Sequence, residues 1–199
     1  MEEQIICFER EILQQYLNQT GTFYDESLWS RILDNLQPVP HSSVETDYRY
    51  KQLIVYVMIK SGDLYLTYRR TPKTAEKRLT NRYSLGIGGH VNLVDKNQLS
   101  LFSDDYQKDF ILQAVWREIN EEVNIESKIL DEPKLLCFIN DDSNDVGKVH
   151  FGTAWLLNID GTRVLGKKED GIGQLKFHDL SYLEAQKSSF EEWSQLLID

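Results

Sequence analysis

Three glutamates within five residues, Glu118, Glu121 and Glu122, are the side chains of this sequence with the clearest potential for chemistry. A helix turns about 100° per residue, which places all three carboxylates on one face, within about 100° of one another. Like charges this close repel one another and contribute nothing to folding. A hard divalent cation, which prefers oxygen ligands, would offset that repulsion, so the spacing predicts a metal site.

An arginine and an aspartate on the same predicted helix accompany the glutamates. Arg117 directly precedes Glu118, and Asp109, eight residues earlier, lies within about 80° of Arg117 around the helix. Arg117 can therefore join Asp109 to Glu118 and orient the Glu118 carboxylate. The alternative is a solvated acidic face whose surface ion pair contributes only ~0–1 kcal/mol. The glycine-rich segment upstream, residues 86–90, favours the functional interpretation.

Hydrophobic periodicity predicts the elements that must position these residues. The order of strands, one central helix, strands and a terminal helix indicates an α/β fold with a mixed sheet. Helices are predicted at residues 3–17, from 25 or 26 to 36, at 109–123, and from Ser189, where Ser189 and Glu192 have capping-box spacing. Strands are predicted at 53–59, 64–69 after a turn at Ser61-Gly62, 134–140 and 149–159, with a polar connector at 38–48 and polar loops at 92–107 and 141–147.

Composition excludes several classes of protein. The 199 residues are 41% hydrophobic, so a buried core is expected. The longest apolar run, Leu53–Ile59, is far shorter than the ~20 residues of a membrane-spanning helix, and the N-terminus lacks the features of a signal peptide, so a cytoplasmic protein is expected. The net charge of −10 disfavours nucleic-acid polymers and anionic membranes. Two separate cysteines, Cys7 and Cys137, indicate neither a zinc site nor a disulfide framework.

Residues 117–125 resemble the Nudix box, whose core runs Arg-Glu, an apolar residue, any residue, Glu-Glu, any residue, Gly and an apolar residue. Only one specified position differs, where Asn124 stands for glycine. Asparagine tolerates the left-handed conformation at a helix end, so Asn124 is expected to take the same backbone role. The wider context of residues 48–190 resembles a MutT-like subgroup of predicted Nudix phosphoesterases.

Two further departures from the family pattern lie upstream of the box. Asp109 stands where the family has glutamate, and Ser103 stands where the family has glycine. We therefore align the family glycine with Gly88 or Gly89 and interpret residues 93–106 as an insertion, which a surface loop can absorb at low cost.

The resemblance implies a Nudix α/β/α sandwich at residues 48–199, preceded by an N-terminal helical extension at 1–47. It also implies hydrolysis of a phosphoanhydride bond in a small diphosphate-containing molecule, with Mg²⁺ or Mn²⁺ as cofactor. By position, Glu121 and Glu122 would be the principal metal ligands, and Glu118 a further ligand or the base. The backbone carbonyl of Gly88 or Gly89 and a later acidic residue, Glu169 or next Asp170, would complete the ligand set.

Cationic groups are expected to bind the substrate phosphates, although most such residues in proteins are solvated at the surface. The candidate phosphate-binding residues are Arg69, Arg70, Arg78, Arg82, His90 and His150.

Three alternatives to a hydrolase remain. The first is a Nudix-fold module that binds its ligand without turnover, and the second is isopentenyl diphosphate isomerase chemistry, for which Cys137 is no convincing match. The third is a protein-interaction role or homodimer contact of the N-terminal helices.

Overall fold

The computed structural model describes residues 2–71, 79–96, 106–166 and 172–198. Contacts divide the chain into two compact units, each described here by itself. Unit 1 comprises Met1–Val55, Gly89–Trp116 and Leu136–Ala154. Unit 2 comprises Tyr56–Gly88, Arg117–Leu135 and Trp155–Asp199. The predicted domain boundary after residue 47 stays a prediction, and the contact-based units divide the chain differently.

Strands contribute most of the regular structure. They are β1 (Gln4–Glu9), β2 (Thr20–Phe23), β3 (Gln37–Pro40), β4 (Tyr50–Ser61), β5 (Leu64–Arg70), β6 (Tyr83–Ser84), β7 (Gly86–His90), β8 (Val123–Ile125), β9 (Lys128–Ile129), β10 (Lys134–Asp141), β11 (His150–Asp160), β12 (Val164–Gly166) and β13 (Ile172–Asp179).

Helices alternate with these strands, which confirms the predicted α/β class with a mixed sheet. Among the described residues, short 3₁₀ helices cover Arg10–Tyr16 and Lys187–Ser189. The α-helices are α1 (Glu26–Asp34), α2 (His41–Val44), α3 (Leu93–Lys96), α4 (Tyr106–Glu122), α5 (Asp145–Val149), α6 (Leu180–Ala185) and α7 (Glu192–Leu197).

Unit 1 contains the N-terminal strands. β1 pairs antiparallel with β3 and with the start of β4, where Cys7 lies opposite Gln52, and β2 pairs antiparallel with β10. The predicted helix at 3–17 is therefore wrong over its first half. Four consecutive buried residues, Ile5 to Phe8, need apolar surroundings on both faces, which a strand within a sheet provides and an amphipathic helix does not.

The second predicted helix of this region is confirmed as α1. Asp25 caps it, because its side chain accepts a hydrogen bond from the Leu28 amide, and Leu28, Trp29 and Ile32 are buried. The predicted connector at 38–48 is instead regular in part, since it contains the end of β3 and helix α2. The predicted loop at 92–107 likewise contains α3, and the turn at 141–147 runs into α5.

Unit 2 contains the hairpin predicted at Ser61-Gly62. β4 and β5 pair antiparallel, with Ser61 opposite Leu64, and Gly62 has a φ of 56° at the turn. β5 also pairs with β13 and with β6, and β8 pairs with β12. β5 is therefore held on both sides within this unit, just where it ends at Arg70.

The C-terminal segment differs from its prediction. The helix expected from Ser189 begins at Glu192, and the Ser189–Glu192 capping box does not form, because Glu191 is the N-cap and no side chain caps the helix. Tertiary contacts decide this boundary. Phe190, which is fully buried with Met58 and Leu85, forms an isolated parallel bridge to Tyr83 and so keeps the chain extended at this point.

Helix α4 carries the predicted carboxylates and extends back past Asp109, as expected. After it, the expectation for Asn124 is wrong. Asn124 lies in β8 opposite Leu165 and is not among the described residues with positive φ, because pairing with β12 keeps its backbone extended. No helix among the described residues is both long and apolar enough to cross a membrane.

Candidate active site

The last turns of α4, in unit 2, present the Arg117–Glu122 segment. Arg117 Nη1 donates to Glu118 Oε1 at 2.6 Å and lies 3.5 Å from Glu121 Oε1. Glu118 is buried, Glu122 is half-buried and Glu121 is exposed. The predicted role of Arg117 in holding Glu118 therefore has its hydrogen bond in place, and the arginine lies next to a second carboxylate of the cluster.

Glu118 is in an environment that disfavours its charged form. Burial is the largest cause that raises the pKa of Glu118, Arg117 opposes it, and Glu121 and Glu122 add to the increase. Burial and like charge thus outweigh the arginine. A divalent cation would favour the ionised carboxylates, so this donor set of oxygens fits the metal that the family uses.

The rest of the predicted ligand set is not tested by the described residues. Among the residues described, no three Asp, Glu, His or Cys side chains form a group that could hold a metal ion. Glu169 and Asp170 lie outside the described residues, as does the side chain of Asp109. Gly89 belongs to unit 1, half-buried in β7. The roles predicted for these four residues stay predictions.

Tyr68 on β5 connects the carboxylate cluster electrostatically to an arginine. Burial is the largest cause that raises the pKa of Tyr68 to about 12; Arg70 opposes it, whereas Glu191 and Glu122 add to it. The Tyr68 hydroxyl therefore lies within electrostatic reach of Glu122 and of the ion pair between Arg70 and Glu191. Its hydroxyl donates to the Gly86 carbonyl at 3.1 Å.

A second buried carboxylate, Glu191, lies at the centre of a group that we call the Glu191 network. Arg70 Nε donates to Glu191 Oε2 at 2.6 Å and Nη2 to Oε1 at 3.3 Å. Tyr56 and Ser84 donate hydroxyl hydrogen bonds to Oε1 at 2.9 and 2.5 Å. Ser194 completes the network, 2.7 Å from the Tyr56 hydroxyl. Four donor atoms, from the side chains of Arg70, Tyr56 and Ser84, thus converge on the Glu191 carboxylate.

The sequence alone did not predict the Glu191 network. Its partners Tyr56, Arg70 and Ser84 precede Glu191 by 135, 121 and 107 residues, respectively, so no local pattern connects them. The sequence around Glu191 reads as the acidic start of a helix. Only the pairing of β5 with β6, and the Phe190 bridge, bring the four residues together.

The described candidate phosphate-binding arginines of unit 2, Arg69, Arg70 and Arg82, all have contacts within that unit. Besides the Arg70 pair, Arg69 Nε donates to the Asn81 carbonyl at 3.3 Å, and Arg82 Nη1 donates to the Ser188 carbonyl at 2.7 Å. Burial alone would lower the pKa of Arg70, but Tyr68 and Glu191 outweigh burial and raise it. The charge of Arg70 is thus stabilised by Glu191 and by the neighbouring Tyr68. Arg78 lies outside the described residues.

The two candidate histidines are brought together in unit 1. His90 Nε2 lies 2.8 Å from Gln52 Oε1 and 3.3 Å from His150 Nε2. Gln52 donates through Nε2 to the Val44 carbonyl, and His150 Nδ1 is 2.7 Å from the Val146 carbonyl. These partners assign the hydrogen of His90 to Nε2 and that of His150 to Nδ1, so each ring fits the network as a neutral tautomer.

Unit 1 also encloses an ion pair between Lys51 and Asp142. Lys51 Nζ is 2.8 Å from Asp142 Oδ1 and donates to the carbonyls of Gly147 and His150 at 2.7 and 3.1 Å. Arg10 Nη2 donates to Asp142 Oδ2 at 2.9 Å. Burial would raise the pKa of Asp142, but the hydrogen bonds and charges of Lys51 and Arg10 outweigh it and lower that pKa. All three hydrogens of the Lys51 ammonium group therefore have acceptors, namely the Asp142 carboxylate and the two backbone carbonyls.

Comparisons with known proteins show which proteins the whole chain is similar to. The chain is 30% identical over 213 aligned positions to Protein YmaB of Bacillus subtilis, and the match covers 100% of this chain and 97% of that protein. It is also similar to the crystal structure of Tm1382, a proposed Nudix hydrolase, with a TM-score of 0.76, 27% identity, and coverage of 98% of this chain and 96% of the other. No family model matches the chain.

More distant structures share the fold alone. DR0079 from Deinococcus radiodurans matches with a TM-score of 0.55 at 15% identity, over 82% of this chain and 89% of that one. A bifunctional NMN adenylyltransferase/ADP ribose pyrophosphatase from Francisella tularensis, complexed with AMP and a Mn ion, matches with a TM-score of 0.50 at 19% identity, over 74% of this chain and 40% of that one. The similarity to Tm1382 confirms the predicted Nudix fold class and indicates a Nudix-type hydrolase in general. The chain therefore belongs to the family of Protein YmaB, within the Nudix superfamily.

Proposed function

We propose that this protein is a divalent-metal-dependent hydrolase that cleaves a phosphoanhydride bond in a small, nucleoside-diphosphate-type substrate. The observation that supports it best is the environment of Glu118. Its buried carboxylate is held by Arg117 and is electrostatically coupled to Glu121 and Glu122. Such a cluster is costly without a cation, and oxygen ligands of this kind suit Mg²⁺ or Mn²⁺.

The residues of this chain take complementary parts in the proposed reaction. Glu118, Glu121 and Glu122 would hold the ion, with the Gly89 carbonyl and Glu169 as the further ligands that the family implies. When bound, the ion supplies charge neutralisation at the phosphate oxygens and an acidified water. Arg117 keeps Glu118 oriented, and Glu118 either joins the ligands or accepts the proton of the attacking water.

Binding of the phosphates is proposed to rest on arginines and histidines of this chain. Arg70 is the favoured group, because the Tyr68 hydroxyl interacts electrostatically with both Arg70 and Glu122. Arg69, Arg82, His90 and His150 remain candidates with the hydrogen bonds described above. The Francisella tularensis protein, which shares the fold and is complexed with AMP and a Mn ion, supports a phosphate ligand and a divalent metal at this general level.

The test is turnover of a panel of diphosphates with Mg²⁺ or Mn²⁺, using Glu121→Gln and Glu122→Gln. Each substitution keeps the size of the side chain and removes one anionic ligand, so we expect kcat to fall at least about a hundredfold, in line with the loss of several kcal/mol of transition-state stabilisation. The matched control is Glu126→Gln, which removes an acid beyond the helix that pairs with Arg163. Full metal-dependent turnover in either active-site variant would refute the ligand assignment.

A binding module without turnover is the alternative that one observation favours. No preformed group of three metal-ligating side chains occurs among the described residues. Metal-dependent binding of ADP by the wild-type protein, with no release of phosphate or nucleoside monophosphate from any diphosphate tested, would favour this module over the hydrolase. Cytoplasmic location and a homodimer stay predictions from the sequence.

The isomerase alternative requires a reactive thiol, and the cysteine considered for it is in the wrong environment. Cys137 is half-buried in β10, and burial raises the pKa of its thiol. A raised pKa reduces the fraction of thiolate, which is the reactive form. Cys137 is thus a packing residue in this proposal.

A further inference from the structure

The Glu191 carboxylate accepts four hydrogen bonds, and none of them caps the C-terminal helix α7. Glu191 Oε1 and Oε2 together face two nitrogens of Arg70 and the hydroxyls of Tyr56 and Ser84. The Glu191 side chain is 5% exposed, so its carboxylate is largely withdrawn from water, whereas the Arg70 side chain is partly exposed. Replacing such a buried ion pair by apolar residues is often neutral or stabilising, so folding alone does not explain its presence.

Among the described residues, Glu191 is the only side chain that hydrogen-bonds to the Arg70 guanidinium, which leaves the other edge of the guanidinium for a ligand. Arg70 uses Nε and Nη2 for Glu191, which fixes the plane of the group, and its side chain retains 23% exposure. A guanidinium held along one edge presents its other edge as a fork, which matches two oxygens of a phosphate. Glu191 thus determines where that fork points.

The same network holds the glycine segment. Ser84 Oγ and the Tyr68 hydroxyl both lie within hydrogen-bond distance of the Gly86 carbonyl, at 2.8 and 3.1 Å. Glu191 is itself fixed to β6, because its amide donates to the Tyr83 carbonyl at 2.9 Å. Strands β5 and β6 and the C-terminal segment therefore meet at this carboxylate, so its removal would affect both the arginine and the start of β7.

From these contacts we propose that Glu191 is a positioning residue, which orients the outer edge of Arg70 to bind a phosphate of the substrate. The Tyr56 and Ser84 hydroxyls hold the Glu191 carboxylate in turn. The proposal rests on the proposed function for the class of ligand, a diphosphate, and it assigns to the C-terminal segment a part in substrate binding. The substrate contact is made by Arg70, and Glu191 acts only through it.

Binding of methylenediphosphonate, a diphosphate analogue that cannot be hydrolysed, tests the proposal by calorimetry in the presence of Mg²⁺. Loss of one charge-assisted hydrogen bond is expected to weaken binding about tenfold, so Glu191→Gln and Arg70→Gln should each raise Kd about tenfold. Because Glu191 acts through Arg70, the double variant should also show about a tenfold increase. A hundredfold increase, or unchanged binding by Glu191→Gln, would overturn the proposal.

A control and a milder variant separate positioning from general loss of structure. Gln195→Ala removes the hydrogen bond from Gln195 Nε2 to the Phe190 carbonyl, in the same C-terminal segment, without touching the network, and should leave Kd within about twofold. Weakening equal to that of Glu191→Gln would show that the segment acts only structurally. Should Glu191→Gln not fold, Tyr56→Phe decides: an expected increase of about threefold supports the proposal, and wild-type binding refutes it.

Failure of this inference is distinguishable from failure of the proposed function. If the wild-type protein binds methylenediphosphonate and the variants behave as expected, but no diphosphate is hydrolysed, only the hydrolase assignment fails. If hydrolysis occurs and the Glu191 variants bind normally, only the positioning role fails. A wild-type protein that does not bind the analogue at all overturns the positioning role directly.

Discussion

Two buried ion pairs, Lys51–Asp142 in unit 1 and Arg70–Glu191 in unit 2, use the same chemistry for different ends. Lys51 is completely buried, and its three ammonium hydrogens are matched by a carboxylate and two backbone carbonyls. Arg70 is partly exposed and meets its carboxylate along one edge only. The hydrogen-bonding capacity of Lys51 is therefore filled by partners within the fold. Among the described residues, Arg70 is hydrogen-bonded by a side chain along one edge only, so the other edge can bind a ligand.

The difference follows from the shape of the two cations. An ammonium group is a compact charge, which three acceptors enclose completely, and Lys51 thereby ties β4 to the segment around Gly147. A guanidinium is planar and forked, so that one edge can be anchored while the other binds an oxyanion. Buried charge is thus evidence of function only where part of the charged group still has access to solvent.

The largest expected effect is on stability, from Lys51→Met. The substitution removes the ammonium group and leaves the Asp142 carboxylate buried, with only Arg10 to pair with it. We expect the free energy of unfolding to fall by about 3 kcal/mol, the lower end of the range for breaking a buried pair, because Arg10 remains. Urea denaturation measures the change, and kcat/KM of the folded protein should stay the same.

A surface pair provides the control for Lys51→Met. Lys148 pairs with Asp145 at 3.0 Å, but both side chains are substantially exposed, so Lys148→Met should change the free energy of unfolding by less than about 1 kcal/mol. Equal losses in the two variants would contradict the distinction between the enclosed and the exposed lysine. A fall in kcat/KM for Lys51→Met would contradict its purely structural role.

Gly86→Ala is expected to disturb the Arg70–Glu191 pair of unit 2. A Cβ at this position would lie 2.1 Å from Cε1 of Tyr56, closer than any real contact, so the tyrosine ring, which donates to Glu191, must shift. We expect a loss of about 1–3 kcal/mol of stability from overpacking, together with roughly a tenfold fall in kcat/KM from misplaced binding groups. Thermal denaturation and steady-state kinetics measure the two effects.

Gly166→Ala is the matched control for Gly86→Ala in the same unit. Its added Cβ would lie 3.1 Å from Cδ1 of Leu175, the far end of a flexible side chain, so a small adjustment accommodates it. Stability should change little and kcat/KM not at all. Loss of stability without loss of kcat/KM in Gly86→Ala would separate Tyr56 from the binding of substrate.

The smallest expected effect is a dependence of stability on acid pH. The pKa of Asp142 is lowered from 3.8 in the folded state, so its contribution is present above that pH and is lost as pH falls through the folded pKa. The stability difference between wild type and Asp142→Asn should therefore shrink only below about pH 3.8. Denaturation followed by circular dichroism between pH 2 and 6 measures it. A difference that already shrinks at pH 5 would contradict the lowered pKa.

Predictions from the sequence succeeded where neighbours along the chain decide the structure. Helix α4, the hairpin at Ser61-Gly62 and the start of α1 near residue 25 all depend on residues within a few positions of one another. The N-terminal strand was missed because burial on both faces comes from β3 and β4, which are distant in sequence. The start of α7 was misplaced because Phe190 pairs with Tyr83.

The sequence by itself determined the class of fold and the placement of Glu118, Glu121 and Glu122 on one helix, because helical periodicity brings charges spaced by three and four residues together. Only the tertiary structure decided that Arg70 faces Glu191. Arg70 and Glu191 are 121 residues apart, and nothing local distinguishes either from a solvated surface residue. Pairing of strands brings them together, and their burial makes the contact strong enough to orient a side chain.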